Sequence, residues 1–220
     1  MVLYLLPGVG CDHRLFSRLQ LPDMEVKVLE WPHFAKGCTL HELAAEMSRE
    51  VDASRPHVLA GVSMGGMVAQ ELAVITKPEM VVLVSSWTGP REWPQYVRWA
   101  SRLHLWNLVR TRSMRMAWPL KQMLGPRPGE IDGLLWDMAG SQGADKIRSG
   151  LEAVLRWKGS PWRGPVYRIH GDNDHVIPLR FPVDHVVKGG EHIMVLTKAV
   201  EVAGAMGEAM RRGAVAPQPL

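Results

Sequence analysis

Gly61-Val62-Ser63-Met64-Gly65 sets a serine between two glycines in the pattern G-x-S-x-G. That spacing suits a sharp turn that lifts a nucleophilic hydroxyl out of the end of a β-strand. The pattern is permissive, so its flanks carry the argument. Upstream, His57-Val58-Leu59-Ala60 reads as a short buried strand. Downstream, Met64, Met67, Val68, Leu72 and Ile75 recur at helical spacing, and Pro78 closes the element. Glycine at 61 and 65 fits a turn where two backbones crowd. Gly66 lets the following helix approach the sheet.

A serine hydroxyl is a weak nucleophile. It needs a base within hydrogen-bond reach, an acid to orient that base, and N–H groups to hold an oxyanion. The chain offers all three in the order Ser…Asp…His. The acid lies in His170-Gly171-Asp172-Asn173-Asp174-His175-Val176-Ile177-Pro178, where Asp172 and Asp174 are both available. Asp172 also reads as a turn-former bonding its own backbone. The base candidate is His192, in Gly189-Gly190-Glu191-His192 after the last strand-like run. His175 adjoins Asp174, so their side chains diverge. His185 lies inside a strand, and His170 reads as a buried, satisfied histidine. The Met64 N–H, next to the nucleophile, is one oxyanion donor. A second belongs in the loop Leu6-Pro7-Gly8-Val9-Gly10-Cys11, where Cys11 reads as a wall residue.

These groups need a scaffold that delivers them to one place. Val2–Leu6 and Val26–Leu29 read as strands, with a short helix Leu15–Leu19 behind the N-cap candidate Asp12. Thr39-Leu40-His41-Glu42 has the form of a capping box, followed by Leu43, Ala44, Met47 and Val51 on one helical face. Beyond the Ser63 unit come strands Val81–Val84, Val166–Ile169 and Val183–Val187, and a closing helix Thr197–Arg211. This alternation predicts a mostly parallel sheet with helices on both faces. From about Trp87 to Pro165 the strand pattern stops. Apolar positions such as Trp99, Leu103, Trp106 and Ile131, Leu134, Leu135, Met138 predict two to four helices there. Such an insertion reads as a cap over the strand ends, where ligands bind in these sheets. Every tryptophan except Trp31 falls within it.

At 220 residues the chain fits one domain with an ample core. Its 46% hydrophobic and 22% charged residues are ordinary for a soluble globular protein. No run reaches the length of a membrane span. Val2–Leu6 lacks a basic flank and ends at Pro7-Gly8, so it reads as a first strand and not a signal peptide. Two cysteines, Cys11 and Cys38, make no disulfide framework and no metal motif. No cofactor or metal is expected, and a reducing cytoplasm is the expected compartment. The net charge of +4 hides an asymmetry. Arg91, Arg98, Arg102, Arg110, Arg112, Arg115, Lys121 and Arg127 stand against one acid, Glu92, so the rest of the chain is net negative. No nucleic-acid recognition motif accompanies these cations. The tail Ala214–Leu220 reads as loose.

With Ser63, the loop at 170–178 and His192 in this order, the chain resembles the α/β-hydrolase fold family over nearly its whole length. The resemblance implies a core at residues 1–86 and 164–220, an all-helical cap at 87–163, and a Ser-His-Asp mechanism. The family carries its acid in a G-x-x-D-x-x-x-P loop after the penultimate core strand. Gly171, Asp174 and Pro178 match it, which implies Asp174, with Asp172 as runner-up. The family's glycine directly before the histidine is replaced here by Glu191. Its His-Gly-x oxyanion loop corresponds to Pro7-Gly8-Val9, which implies Val9 as the donor beside Met64, with Gly10 as the fallback. Dehalogenase and epoxide-hydrolase relatives carry aspartate at the Ser63 position. Relatives with the acid one strand earlier need it where this chain has Ser85-Ser86-Trp87. Both subclasses are set aside.

The expected activity is cleavage of a small-molecule carboxylic ester or thioester through an acyl-enzyme. The tryptophan- and methionine-rich cap reads either as an apolar acyl pocket or as its own helical core. One alternative is a lyase acting on an anionic substrate, similar to the menaquinone-pathway lyase of this fold. Another is an esterase releasing acyl groups from an acidic carrier protein. Arg98, Arg102, Arg110, Arg112 and Arg115 would dock that partner, unless they are a solvated face. A silent binding scaffold is disfavoured because no member of the Ser, His, Asp set is missing.

Overall fold

The first strand, β1 (Val2–Leu6), is apolar at every position and buried along its whole length. Its side chains alternate between two cores. Val2, Tyr4 and Leu6 join one cluster, Leu3 and Leu5 the other. β3 (His57–Val62) and β4 (Met80–Val84) repeat this alternation, as strands covered on both faces must. With β2 (Glu25–Val28), β5 (Val166–Gly171) and β6 (His185–Val187) they form one six-stranded sheet, ordered β2-β1-β3-β4-β5-β6. Every neighbouring pair is parallel. The winding reverses between β1 and β3, so the loops leaving those two strands border a crevice. The computed structural model describes residues 1–22, 24–33, 35–108 and 129–215.

Helices α1 (Leu40–Met47) and α2 (Met64–Thr76) cover one face. The single helical turn Met194–Thr197 and the long helix α6 (Ala199–Val215) cover the other. The capping box at the start of α1 forms in full. Thr39 Oγ1 accepts the Glu42 N–H at 3.2 Å, and Glu42 Oε2 accepts the Thr39 N–H at 2.7 Å. The expected helix at 15–19 is instead a 3-10 turn, His13–Phe16. Asp12 accepts the Arg14 N–H at 3.0 Å, which starts the turn earlier than the apolar residues indicate. β6 is shorter than expected and begins at His185, the last stretch that reaches β5.

Between β4 and β5 the described residues contain α3 (Gln95–Arg102), α4 (Gly129–Gln142) and α5 (Ala144–Arg156), with a 3-10 turn at Leu105–Leu108. α4 buries Ile131, Leu135 and Met138 in one core cluster, and α5 buries Ala153 and Val154 in the other. The predicted stripe Trp99, Leu103, Trp106 does not lie on one helix, since α3 ends at Arg102 and Trp106 falls in the 3-10 turn; Trp106 is buried, but Trp99 and Leu103 are more than half exposed. The insertion is tied to the loops that leave the strands. Lys146 Nζ donates to Trp31 O at 2.9 Å, and Tyr96 Oη donates to Val176 O at 3.0 Å. Arg168 on β5 makes a two-pronged pair with Glu92, at 2.8 and 2.9 Å. Arg110, Arg112, Arg115, Trp118, Lys121 and Arg127 lie outside the described residues, as does the tail beyond 215.

The β3–α2 turn depends on backbone crowding. A Cβ on Gly65 would lie 2.2 Å from Leu6 O and 2.4 Å from Pro7 O. Both obstacles are backbone, so β1 would have to move. Gly65→Ala is expected to cost about 1–3 kcal/mol by overpacking, which lowers Tm by roughly 2–4 °C per kcal/mol in a domain of this size. Thr39→Ala, which removes only the α1 cap, is expected to cost about 1 kcal/mol. Thermal melts of the two variants test this; an unchanged Tm for Gly65→Ala would mean that the close approach is not made.

Candidate active site

Ser63 joins β3 to α2 with φ 53° and ψ −120°, a conformation that costs a non-glycine residue about 1–3 kcal/mol. The surroundings hold it there. Ser63 N–H donates to Val84 O at 3.0 Å, Ser86 Oγ donates to Ser63 O at 2.6 Å, and Gly66 N–H donates to the same oxygen at 3.0 Å. A Cβ on Gly61 would lie 2.2 Å from the Gly65 carbonyl, so the strand and helix touch at the turn. The Ser63 side chain is thereby aimed outward from the strand ends and is half-buried.

His192 meets it. Nε2 lies 3.0 Å from Ser63 Oγ, and Nδ1 lies 2.9 Å from Asp174 Oδ2. An ionised carboxylate only accepts, so Nδ1 carries the proton and donates. Nε2 is then free to accept the Ser63 O–H. Asp174 is buried, and its Oδ1 accepts the N–H groups of Val176 at 2.9 Å and Ile177 at 2.8 Å. Burial pushes this carboxyl up. The adjacent His192 ring, its hydrogen bond, and the Ile177 N–H outweigh burial and hold it below the usual range.

Asp172 occupies a different place. It is exposed, and its Oδ1 accepts the Gly189 N–H at 2.6 Å, fastening the histidine loop. A Cβ on Gly171 would lie 2.0 Å from Gly190 O, so the loops that carry Asp174 and His192 press together there. The close-packed glycine therefore sits two residues before His192, and Glu191 fits between. His175 is exposed, as divergence from Asp174 requires. His170 is buried, donates from Nε2 to Ile177 O at 2.7 Å, and lies 3.5 Å from Asp174 Oδ2. Desolvation pushes the Cys11 thiol up to about 12, aided by Asp12, so it is no nucleophile at neutral pH.

Gly8 lies against Ser63: a Cβ on it would be 3.6 Å from Ser63 Cβ. Among the described residues, neither the Val9 nor the Met64 N–H meets a protein acceptor. Met64 is the first residue of α2 and has no intrahelical partner. Three contributors were not singled out from the sequence: Ser86, Tyr96 and Trp31, whose indole Nε1–H donates to Gly8 O at 3.1 Å. Only Trp31 carried a signal, as the one tryptophan outside the insertion. A cleft of about 990 Å³, lined by residues including His41, Glu71, Trp93, Trp106 and Trp157, does not reach Ser63, Asp174 or His192. Among the described residues no cluster of His, Cys, Asp or Glu could hold a metal ion, and no helix is long and apolar enough to cross a membrane.

Burial holds His170 below its ordinary value of 6.5, against its bond to Ile177 and its contact with Asp174. Below that value the unfolded chain takes up the proton more readily than the folded one. Stability is therefore complete above about 6.5 and falls as the pH drops beneath it. Asp174, also depressed, adds a second loss as the pH falls below about 3.9. His170→Gln keeps a donor for Ile177 O without titrating. It is expected to flatten the Tm profile just below about pH 6.5; an unchanged slope there would assign the loss to another group.

The family model described as "Alpha/beta hydrolase family" matches residues 2–205. No protein of curated function matches the chain. Among solved structures, it is similar to a thermophilic esterase from Thermogutta terrifontis with malate bound, at 16% identity and TM-score 0.79, over 97% of this chain and 90% of that one. It is similar to MenH from S. aureus at 17% identity and TM-score 0.74, over 97% and 94% of the two chains. It is also similar to YbtT, a type II thioesterase from the yersiniabactin NRPS/PKS biosynthetic pathway, at 19% identity and TM-score 0.60, over 95% and 91%. At these identities the structures speak for the fold, while the family model spans nearly every residue of it: the chain belongs to the alpha/beta hydrolase family.

Proposed function

We propose that the chain is a serine hydrolase of carboxylic esters or thioesters. The observation that carries this reading is the continuous relay Ser63 Oγ, His192 Nε2, His192 Nδ1, Asp174 Oδ2, with links of 3.0 and 2.9 Å. Ser63 Oγ attacks the substrate carbonyl while His192 Nε2 takes its proton. Asp174 holds the Nδ1–H and stabilises the imidazolium. The N–H groups of Val9 and Met64 receive the oxyanion. His192 then protonates the leaving alcohol or thiol, giving an acyl-enzyme. Water, deprotonated by His192, releases the acid. The likeness to the Thermogutta terrifontis esterase supports the ester class.

A second reading concerns what carries the acyl group. Arg91, Arg98 and Arg102 are exposed, and among the described residues none has a carboxylate partner. They suit an acidic carrier protein, and the likeness to YbtT supports a carrier-bound thioester. Rim charges of this kind act mainly on association. Arg98→Glu with Arg102→Glu is expected to slow release from an acidic carrier while sparing a neutral short ester. Equal effects on both substrates would remove the carrier.

A fluorophosphonate probe is expected to label the folded protein and leave Ser63→Ala unlabelled; a folded wild type that stays unlabelled would overturn the mechanism. On a short ester, Asp174→Asn is expected to lose about 10⁴ in kcat, whereas Asp172→Asn keeps most of its rate. The reverse ranking would reassign the acid. Probe labelling combined with inactivity across an ester and thioester panel would move the reading to an elimination of the MenH kind.

A further inference from the structure

The turn after β1 is held by an interaction outside the three reacting side chains. Gly8 O accepts two N–H groups, Trp31 Nε1–H and the Cys11 N–H, each at 3.1 Å. Trp31 is buried, and its own carbonyl accepts Lys146 Nζ from α5 at 2.9 Å. The Gly8–Val9 peptide is trans. In a planar trans peptide the carbonyl of one residue and the N–H of the next point to opposite sides. Holding Gly8 O toward Trp31 therefore turns the Val9 N–H the other way. Hydrogen bonds accepted at that carbonyl also polarise the peptide and strengthen its N–H as a donor.

We propose that Trp31 is a positioning residue for the oxyanion: its indole N–H sets the Gly8–Val9 peptide so that the Val9 N–H faces the substrate oxygen when Ser63 attacks. The proposal rests on the ester-hydrolase reading above. It adds that one buried tryptophan, distant in sequence from every reacting group, acts on the transition state through a backbone plane. Because the bond bears on the oxyanion and not on the ground-state ester, its loss should appear in kcat and leave KM almost alone.

Two replacements test this. Trp31→Phe removes the N–H and some volume. Substitution of Trp31 by 3-benzothienylalanine replaces the N–H by sulfur and keeps the ring shape, which controls for packing. Losing an oxyanion donor outright costs 10²–10³ in kcat, so loosening one is expected to cost about 10–10²-fold, with KM within about threefold. A boronic acid that forms a tetrahedral adduct at Ser63 is expected to bind more weakly by a similar factor. Unchanged kcat and boronate affinity in the benzothienyl protein, with an active wild type, would overturn the proposal and leave the hydrolase reading standing. Amide exchange at Cys11, which shares the Gly8 carbonyl, reads the turn without any substrate. It is expected to speed up in both variants; an unchanged rate overturns the proposal whatever the turnover.

Discussion

At the elbow the backbones of β1, β3 and α2 approach one another until no side chain fits between them. A Cβ at Gly61 would strike the Gly65 carbonyl, and one at Gly65 would strike Leu6 O. The polypeptide can leave β3 and enter α2 here only by forcing Ser63 to a positive φ. That strain persists because the sheet holds it from both ends. Val84 O accepts the Ser63 N–H, and Ser86 Oγ closes on the Ser63 carbonyl. The same contact sets the distance from β3 to the turn after β1, where Gly8 rests against the serine. Ser63 and the neighbouring N–H groups therefore share one origin.

The partner groups come from the other end of the sheet and are registered to each other before they are registered to Ser63. Gly171 abuts Gly190, Asn173 N–H donates to Gly190 O at 3.0 Å, and Asp172 caps the Gly189 N–H. The loops that carry Asp174 and His192 thus form one unit. Within it Asp174 is buried, its oxygens supplied by two backbone N–H groups and one imidazole. A buried carboxylate without those donors would be driven toward neutrality.

The insertion attaches through apolar side chains buried in both core clusters, and through polar groups that reach loop carbonyls and Glu71. Tyr96 reaches Val176 O, Lys146 reaches Trp31 O, and Trp157 Nε1 donates to the buried Glu71 on α2 at 2.7 Å. α2 is consequently enclosed on nearly all sides, which explains why Gln70 and Glu71, polar residues on a central helix, are buried and bonded. Contacts of this kind join segments far apart in the chain and leave no periodic trace.

Local patterns were sufficient for the elements around the site. The glycine spacing at 61 and 65, the capping box at Thr39 and the alternation along β1 each depend on residues a few positions apart, so the sequence alone specified them. The choice between two aspartates two residues apart, and the route from Trp31 to Gly8, depend on which loops the β5–β6 and β1–β2 pairings bring together. In the folded chain Asp172 points to Gly189 and Asp174 to His192 because β5 and β6 align Gly171 with Val187. The stripe of Trp99 and Leu103 shows the converse. Its helical period was legible, but burial depends on what packs against a helix, and that is a property of the tertiary structure.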